Sequence, residues 1–289
     1  MGIIFVDFYG VIIKFIGNSY SSPQLAFFRN FFALIPIILL LIITRDIKNI
    51  FVGISKKFLF LCFLRGISFV LMQIFYYISI INMNFATATT LTFSSPIFIV
   101  VLSMLVLKEK IGLFRWSAIF IGFGGVLLIM NPTSELFSYI SILPLLAALC
   151  WATSNIVLKF IPEDISSVKI NFYSINFSYI GSLIILLFSS DFSPVENSFD
   201  WLLLILIGIL GGIASILFSF AYRVVSPSTL APFEYLGIPS SFILGWIFFY
   251  EAPIGQLFPG VLGIVAAGFI IIWREKKLSI GKIVSNKIH

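Results

Sequence analysis

The sequence predicts an all-α membrane protein of about ten transmembrane helices, arranged as two inverted five-helix repeats. Three observations predict this fold: the composition, an unequal distribution of basic residues between the loops, and an internal repeat. Sixty per cent of the 289 residues are hydrophobic and only 10% are charged, whereas a soluble domain is about half apolar and about a quarter charged. At roughly 20 apolar residues per helix, little of the chain remains for a water-soluble domain.

Apolar windows of about 20 residues place the spans along the chain. The first window is short, and either an abbreviated helix or a first residue that lies downstream of the true start explains its length. It has neither a basic leader nor a small-residue cleavage site, so we expect no removable signal peptide. The predicted spans are 1–16, 23–44, 58–81, 84–107, 112–130, 138–158, 170–188, 201–222, 227–250 and 255–273. They divide the chain into a first repeat (1–130), a second repeat (138–273) and a basic cytoplasmic tail (274–289).

The basic residues predict the orientation of the chain. Fifteen of the 18 Lys and Arg residues lie in or beside the segments on one side of the predicted spans, including the tail. The opposite connections contain none and carry acidic residues, namely Glu135, Asp191, Glu196, Asp200 and Glu251. The positive-inside rule then places both termini on the cytoplasmic side of a bacterial inner membrane. This distribution also explains the net charge of +6 without a nucleic-acid partner.

The two halves of the sequence align with each other. Residues 11–16, VIIKFI, resemble residues 156–161, IVLKFI, at an offset of 145. Gly66 matches Gly208 and Glu109 matches Glu251, both at an offset of 142. Five spans per repeat is an odd number, so the second copy enters the membrane inverted. Inverted repeats are typical of secondary transporters, in which two halves move about a central site.

Prolines interrupt spans four and nine, which are equivalent in the two repeats. Pro96 follows Ser95 in span four, and span nine carries Pro232 and Pro239. Each proline frees a carbonyl, which persists in lipid only where protein or a wet cavity satisfies it. A packing kink would explain one proline, but a repeated pair flanked by polar residues such as Thr92 favours a cavity. We therefore predict that all three prolines line the site.

Four ionisable residues lie within the predicted spans, where each costs about 2.5–3.5 kcal/mol to insert: Asp7, Arg29, Arg65 and Glu234. In one interpretation Arg65 pairs with Glu234 and joins the two halves. In the other, Glu234 meets a substrate ammonium or sulfonium, or takes up a coupling proton. Lys14 lies near a helix end and is expected to extend to the interface. No role is assigned to Asp7 from the sequence.

Aromatic side chains with polar tips are further cavity candidates, because such tips need partners in mid-membrane. Tyr222 is one of them, although core packing is the favoured explanation for any single ring. Beside Glu234, such rings would suit a cation through cation–π attraction. The predicted substrate-binding residues are Glu234, Tyr235, Arg65, Arg29, Tyr76, Tyr77, Trp151, Thr92 and Ser95.

Several classes of function find no support in the sequence. The single histidine is the last residue, His289, and the cysteines Cys62 and Cys150 lie in apolar spans as packing residues. No metal-binding, nucleophile-elbow or P-loop pattern is present. We therefore expect no catalytic residue, metal or cofactor; a lipid-modifying enzyme and a structural protein remain remote alternatives. Glycines in spans five and ten favour either packing within the monomer or a homodimer face, and they are Gly122, Gly124, Gly125, Gly260, Gly263 and Gly268.

Four segments carry a resemblance to a known family: PQLAFFRNFFA at 23–33, LRGISF at 64–69, TFSSPIFIVVLSMLVLKEKIGLFRW at 92–116 and APFEYLGIPSSFILGWIFFYEAP at 231–253. With them the chain resembles the ten-helix EamA-type branch of the drug/metabolite transporter superfamily over essentially its whole length. The resemblance implies two repeats, alternating access and no ATP hydrolysis.

Within that branch, the Arg-Gly of span three and the Phe-Phe-Arg of span two resemble the S-adenosylmethionine uptake carriers of intracellular bacteria. This likeness implies import or exchange of a cationic sulfonium amino acid. Other members of the branch move amino acids, amines, riboflavin or drugs, often outward. We expect a secondary carrier of a small zwitterionic or cationic metabolite, with a proton or an exchange metabolite as coupling partner and an exporter as the alternative.

Overall fold

The computed structural model describes residues 2–109, 112–130, 139–189, 191–230, 233–234, 237–251, 255, 258–263, 265–270 and 273. Helices dominate these residues, and no β-strand occurs among them, which confirms the predicted all-α class. The tail 274–289 lies outside the described residues. The α-helices are α1 (Gly2–Ile16), α2 (Ser22–Ile43), α3 (Lys56–Asn82), α4 (Phe85–Thr92), α5 (Ser95–Leu107), α6 (Leu113–Met130), α7 (Leu143–Val157), α8 (Ser167–Ser189), α9 (Ser198–Val224), α10 (Pro227–Leu230) and α11 (Gly237–Phe249). Residues 260–263 and 265–270 are also helical.

These helices provide the membrane spans. Six segments are long and apolar enough to cross a bilayer. In this count α4 and α5 together form one segment, and α7 together with the 3-10 turns on either side of it forms another. Three shorter apolar segments, 116–125, 237–249 and 260–270, and the 15 residues of α1 bring the number to the ten predicted. Large apolar side chains cover the outside, as in Phe188, which is 87% exposed. Such a surface suits lipid, and the chain is a multi-pass membrane protein.

The same helical elements recur at an offset of 142 residues. α3 and α9 each contain 27 residues, and their first residues are Lys56 and Ser198. Ser55 caps α3 by accepting a hydrogen bond from the Phe58 amide, and Asn197 caps α9 through the Phe199 amide, both at 3.0 Å. The same offset relates α5 to α11, which have 13 residues each. The helices of the two halves thus follow the same pattern, and the bounds 1–130 and 138–273 stay a prediction.

The two halves pack against each other through equivalent contacts. α3 of the first half contacts α8 of the second, and α9 of the second contacts α2 of the first. At the first contact, a Cβ on Gly66 would lie 2.7 Å from both Phe177 Cβ and the Ser174 carbonyl oxygen. At the second, a Cβ on Gly208 would lie 2.9 Å from Phe32 Cα. Glycine therefore permits both crossings, because any side chain there would collide with the opposite backbone.

Spans four and nine are each two helices rather than one. α4 ends at Thr92 and α5 begins at Ser95, so the break lies directly before Pro96. α10 ends at Leu230 and α11 begins at Gly237, with residues 233–234 in a 3-10 turn between them. Next to these breaks, Ser95 and Glu234 are buried.

The predicted glycine face of spans five and ten packs within the monomer. A Cβ on Gly122 would lie 3.1 Å from Ala267 Cβ, and one on Gly263 would lie 3.1 Å from Gly125 Cα. α6 and the helical residues 260–270 are thus in direct contact through these glycines, as the first of the two interpretations requires. The homodimer face stays a prediction.

Candidate functional site

A cavity lies where the two helix breaks meet. Both halves of the chain line it: α1, α3, α4 and α5 from the first, and α7, α9 and the turn after α10 from the second. The wall consists of Ile3, Val6, Asp7, Tyr9, Met72, Tyr76, Thr89, Thr92, Phe93, Ser95, Trp151, Phe218 and Glu234.

Glu234 is the most fully hydrogen-bonded group in this wall. Its Oε1 accepts hydrogen bonds from Trp151 Nε1 at 2.8 Å and from Tyr222 OH at 2.6 Å. Its Oε2 accepts one from Ser95 Oγ at 2.7 Å. The donors come from α7, α9 and α5, so three helices from both halves hold one carboxylate. The Glu234 residue is 4% exposed, and these neutral donors supply hydrogen bonds without supplying a counter-charge.

Asp7 is a second carboxylate in the same wall. It lies on α1, is 1% exposed, and its Oδ2 accepts a hydrogen bond from Ser240 of α11. In the sequence, Asp7 is one of four ionisable residues within the predicted spans, but its position near the first residue leaves its depth in the bilayer undefined, and no role is assigned to it. Its partner Ser240 comes from the opposite repeat and is 233 residues away.

Arg65 does not pair with Glu234, which corrects the first of the two interpretations drawn from the sequence. Its Nη1 donates to Asn171 Oδ1 at 3.3 Å and its Nη2 donates to Ser219 Oγ at 2.7 Å. The guanidinium thereby joins α3 to α8 and α9, behind the cavity wall. Asn171 and Ser219 were missed from the sequence, because an isolated Asn or Ser in an apolar helix carries no signal that an arginine will reach it.

Arg29 also lies behind the wall rather than in it. Its Nη2 donates to the Gly211 carbonyl at 2.7 Å and its Nη1 to Asn30 Oδ1 at 3.1 Å. The guanidinium carbon lies 4.8 Å from the centre of the Phe69 ring and 5.9 Å from that of Tyr9. Tyr9 itself lines the cavity, so Arg29 supports the wall from outside.

The remaining predicted site residues are divided between the cavity and its surroundings. Tyr76, Trp151, Thr92 and Ser95 line it, and Pro96 directly follows the break in span four. Tyr77 is fully buried in the core but is not part of the wall. Pro239 lies in the first turn of α11 with an exposed side chain, also outside the wall. Pro232 and Tyr235 lie outside the described residues.

An ion pair joins the ends of α1 and α11. Lys14 Nζ lies 2.6 Å from Glu251 Oε1 and also donates to the Met83 carbonyl at 2.8 Å. Glu251 Oε2 accepts a hydrogen bond from the Phe85 amide at 2.6 Å, at the start of α4. Lys14 thus reaches the end of the bundle, where it meets a partly buried carboxylate from the other repeat, and its extension to the membrane interface stays a prediction.

The equivalent residues of the other repeat form no such ion pair. Glu109, which corresponds to Glu251, accepts a hydrogen bond from Ser228 Oγ at 2.7 Å. Lys159, which corresponds to Lys14, donates to the Arg223 carbonyl at 3.2 Å. Two matched sets of residues, one at each end of the bundle, thus have different partners in the part of the chain that the structure describes.

A helical bundle of two inverted halves, with broken helices meeting at a largely apolar cavity that holds two carboxylates, is the architecture of a membrane transporter. The chain belongs to the EamA-like transporter family, which matches residues 1–131 and 138–273. A solved structure superposes with a TM-score of 0.65 over 96% of this chain and 98% of its own length. At 15% sequence identity, that likeness shows the fold alone.

Curated relatives differ in the substrates that their names state. A riboflavin transporter of Vibrio cholerae is 32% identical over 188 residues, which cover 65% of this chain and 62% of that relative. The match therefore spans less than two thirds of the riboflavin transporter. An S-adenosylmethionine uptake transporter of Rickettsia bellii is 29% identical over 94% of this chain and 91% of its own length. A pseudopaline exporter of Pseudomonas aeruginosa is 25% identical over 92% and 91%.

Proposed function

We propose that this chain is a secondary carrier that moves a small zwitterionic or cationic metabolite across the bacterial inner membrane by alternating access. S-adenosylmethionine, taken up or exchanged, is the substrate that we favour. The relative from Rickettsia bellii supports it, because that match covers nearly all of both chains. Coupling to a proton or to an exchange metabolite belongs to the same proposal.

The carboxylate of Glu234 carries the proposal. It lies in the cavity wall, almost fully buried, and its partners Ser95, Trp151 and Tyr222 are all neutral. Among the described residues, no basic side chain forms an ion pair with it. A buried charge without a counter-ion is costly, and a cationic substrate would supply the missing charge. The Trp151 and Phe218 rings, with centroids 4.9 Å apart, add aromatic surface for such a cation.

An exporter of amino acids, amines or drugs is the second candidate. The pseudopaline exporter, which matches over nearly its whole length, favours it. The same cavity would serve either direction, since the direction of a secondary carrier follows the gradients that drive it. Counterflow between loaded vesicles and medium identifies the substrate, and net flux under an imposed gradient separates uptake from export.

The ion pair of Lys14 with Glu251 supports alternating access. It ties α1 and the start of α4 to the end of α11, at the end of the bundle where the loops carry acidic residues. In the proposal this end faces the periplasm and is closed, while both termini face the cytoplasm. Glu109 and Lys159 form the equivalent ion pair when the opposite end closes, because the repeat places the same residue types there.

The decisive experiment is counterflow of labelled S-adenosylmethionine in liposomes that contain the purified protein. Saturable uptake driven by trapped S-adenosylmethionine is expected, and Glu234→Gln should lower it at least about tenfold, the loss of one ionic contact of about 1.4 kcal/mol. Glu196→Gln, which changes an exposed glutamate in the loop before α9, is the matched control and should transport normally.

Two outcomes would contradict the proposal at different levels. Counterflow of riboflavin or an amine, but not of S-adenosylmethionine, would retain the carrier and replace the substrate. If Glu234→Gln shows wild-type counterflow rates and an unchanged half-saturation concentration at every pH tested, Glu234 does not bind the substrate.

A further inference from the structure

The cavity wall holds two carboxylates, and neither has a cationic partner. Asp7 and Glu234 are 1% and 4% exposed, and both line the same space. Ser240 donates to Asp7, and three neutral groups donate to Glu234. Among the described residues, the two buried arginines have other partners: Arg65 binds Asn171 and Ser219, and Arg29 binds the Gly211 carbonyl and Asn30. The wall therefore carries up to two negative charges that the protein itself does not neutralise.

Two hydroxyl groups in the same wall also lack partners. Tyr9 and Tyr76 are 3% and 4% exposed and line the cavity, yet neither hydroxyl forms a hydrogen bond with any described residue. A buried hydroxyl without a partner is costly. These tyrosines thus present unused hydrogen-bonding groups beside the two carboxylates.

We propose, on the basis of the carrier function above, that the cavity selects substrates with two cationic centres, one at Glu234 and one at Asp7. The Tyr9 and Tyr76 hydroxyls then bind an anionic or carbonyl oxygen of the same molecule. Asp7 is the residue that determines specificity, because a substrate with one positive charge neutralises Glu234 and leaves Asp7 unpaired in an apolar wall.

The chemistry of this site separates the substrates named for the relatives. S-adenosylmethionine carries a sulfonium, an ammonium and a carboxylate, which match two acids and a pair of hydroxyl donors. Riboflavin has no cationic centre, so its binding would bury both carboxylates without counter-charge. Removing one methyl group from a sulfonium leaves a neutral thioether of almost the same shape. Such pairs of compounds therefore test the charge and little else.

Equilibrium binding to the purified protein tests the inference without any transport step. The compounds are two matched pairs: S-adenosylmethionine with S-adenosylhomocysteine, and S-methylmethionine with methionine. The wild-type protein is expected to prefer the sulfonium member of each pair by at least about tenfold. Asp7→Asn should bring that preference close to one, and Asp7→Glu should restore most of it. Asp191→Asn, an exposed aspartate in the loop after α8, is the control and should keep the wild-type ratio.

Each outcome has a distinct meaning. Equal binding of both members of each pair by the wild-type protein, or an unchanged preference in Asp7→Asn, overturns the inference even if transport occurs. A sulfonium preference that depends on Asp7, without counterflow of S-adenosylmethionine, supports the inference and removes that compound as the transported substrate. If Asp7→Asn does not fold, Ser240→Ala is the second variant. It keeps the charge of Asp7 but removes the hydrogen bond that holds the carboxylate in position. We expect its preference for the sulfonium compounds to be severalfold smaller than that of the wild-type protein.

Discussion

At the scale of single residues, Arg65 shows how a buried cation is held without an acidic partner. Asn171 and Ser219 accept its hydrogen bonds, and Ser219 Oγ also donates to Asn171 Oδ1 at 3.0 Å. If the arginine is removed, these two side chains still satisfy each other. If Asn171 is removed, the guanidinium keeps its charge and loses an acceptor. The acceptor is therefore more important to stability than the cation.

We accordingly expect Asn171→Ala to destabilise the protein more than Arg65→Met does, by about 1–3 kcal/mol, the cost of a buried charged donor left unpaired. Thermal unfolding of the purified variants in detergent measures the difference. Asn176→Ala is the control on the same helix, because Asn176 bonds only the Phe172 carbonyl of its own helix. A larger loss of stability in Arg65→Met than in Asn171→Ala would show that the charge itself holds the two halves together.

Several sequence signals predict residues that line the cavity, namely ionisable residues at mid-span, polar residues beside a proline break and aromatic rings with polar tips. Glu234 was identified because a carboxylate in mid-span is costly, and it does lie in the cavity wall. Arg29 and Arg65 met the same criterion and lie behind the wall, because depth does not say which face of a helix a side chain occupies. Asp7 and Tyr9 were missed because their importance depends on α1 lying against the opposite repeat.

At the scale of elements, close helix crossings depend on glycines that the repeat places at equivalent positions. Gly208 of α9 lies directly on the Phe32 backbone of α2, and Gly66 of α3 lies on Ser174 of α8. The offset of 142 that links Gly66 to Gly208 also links Phe32 to Ser174. The two crossings are therefore the same contact made twice.

We expect Gly208→Ala to lower the free energy of unfolding by roughly 1–3 kcal/mol, the cost of overpacking a well-packed contact. The backbone of α2 would have to move, since the new Cβ meets main-chain atoms rather than a flexible side chain. Gly124→Ala on α6 is the control, because nothing lies within 4 Å of the position of its Cβ. Thermal stability of the two variants in one detergent measures the effect, and equal values would refute the close crossing.

Helix positions followed well from the sequence, because a bilayer requires about 20 apolar residues per span. The predicted spans 58–81 and 201–222 correspond to α3 and α9 with ends shifted by no more than three residues. The broken spans were less well predicted. Proline indicated where span four is interrupted, but no local pattern indicated that the described helix α10 would be only four residues long.

At the scale of the whole molecule, the two halves are related in sequence but differ in their contacts. Lys14 and Glu251 are joined at one end, whereas Lys159 and Glu109 bind a carbonyl and a serine at the other. In a protein with a single fixed arrangement of its halves, a lysine and a glutamate at equivalent positions of both ends would have no evident function. The unequal use of equivalent residues is what an alternating-access carrier shows in a single state.

Breaking the Lys14–Glu251 ion pair should open the end of the cavity that it closes. A single cysteine in the wall, Thr92→Cys in a Cys62→Ala, Cys150→Ala background, reports access from each side of the membrane to an impermeant maleimide. We expect Glu251→Gln to raise labelling from the periplasmic side severalfold and to lower labelling from the cytoplasmic side, because closure of one end accompanies opening of the other. The charge exchange Lys14→Glu with Glu251→Lys should restore the original pattern, and Glu196→Gln should leave it unchanged. Equal labelling of Glu251→Gln and its parent from both sides would show that the ion pair only stabilises the fold, whereas a gain from the cytoplasmic side alone would reverse the proposed orientation.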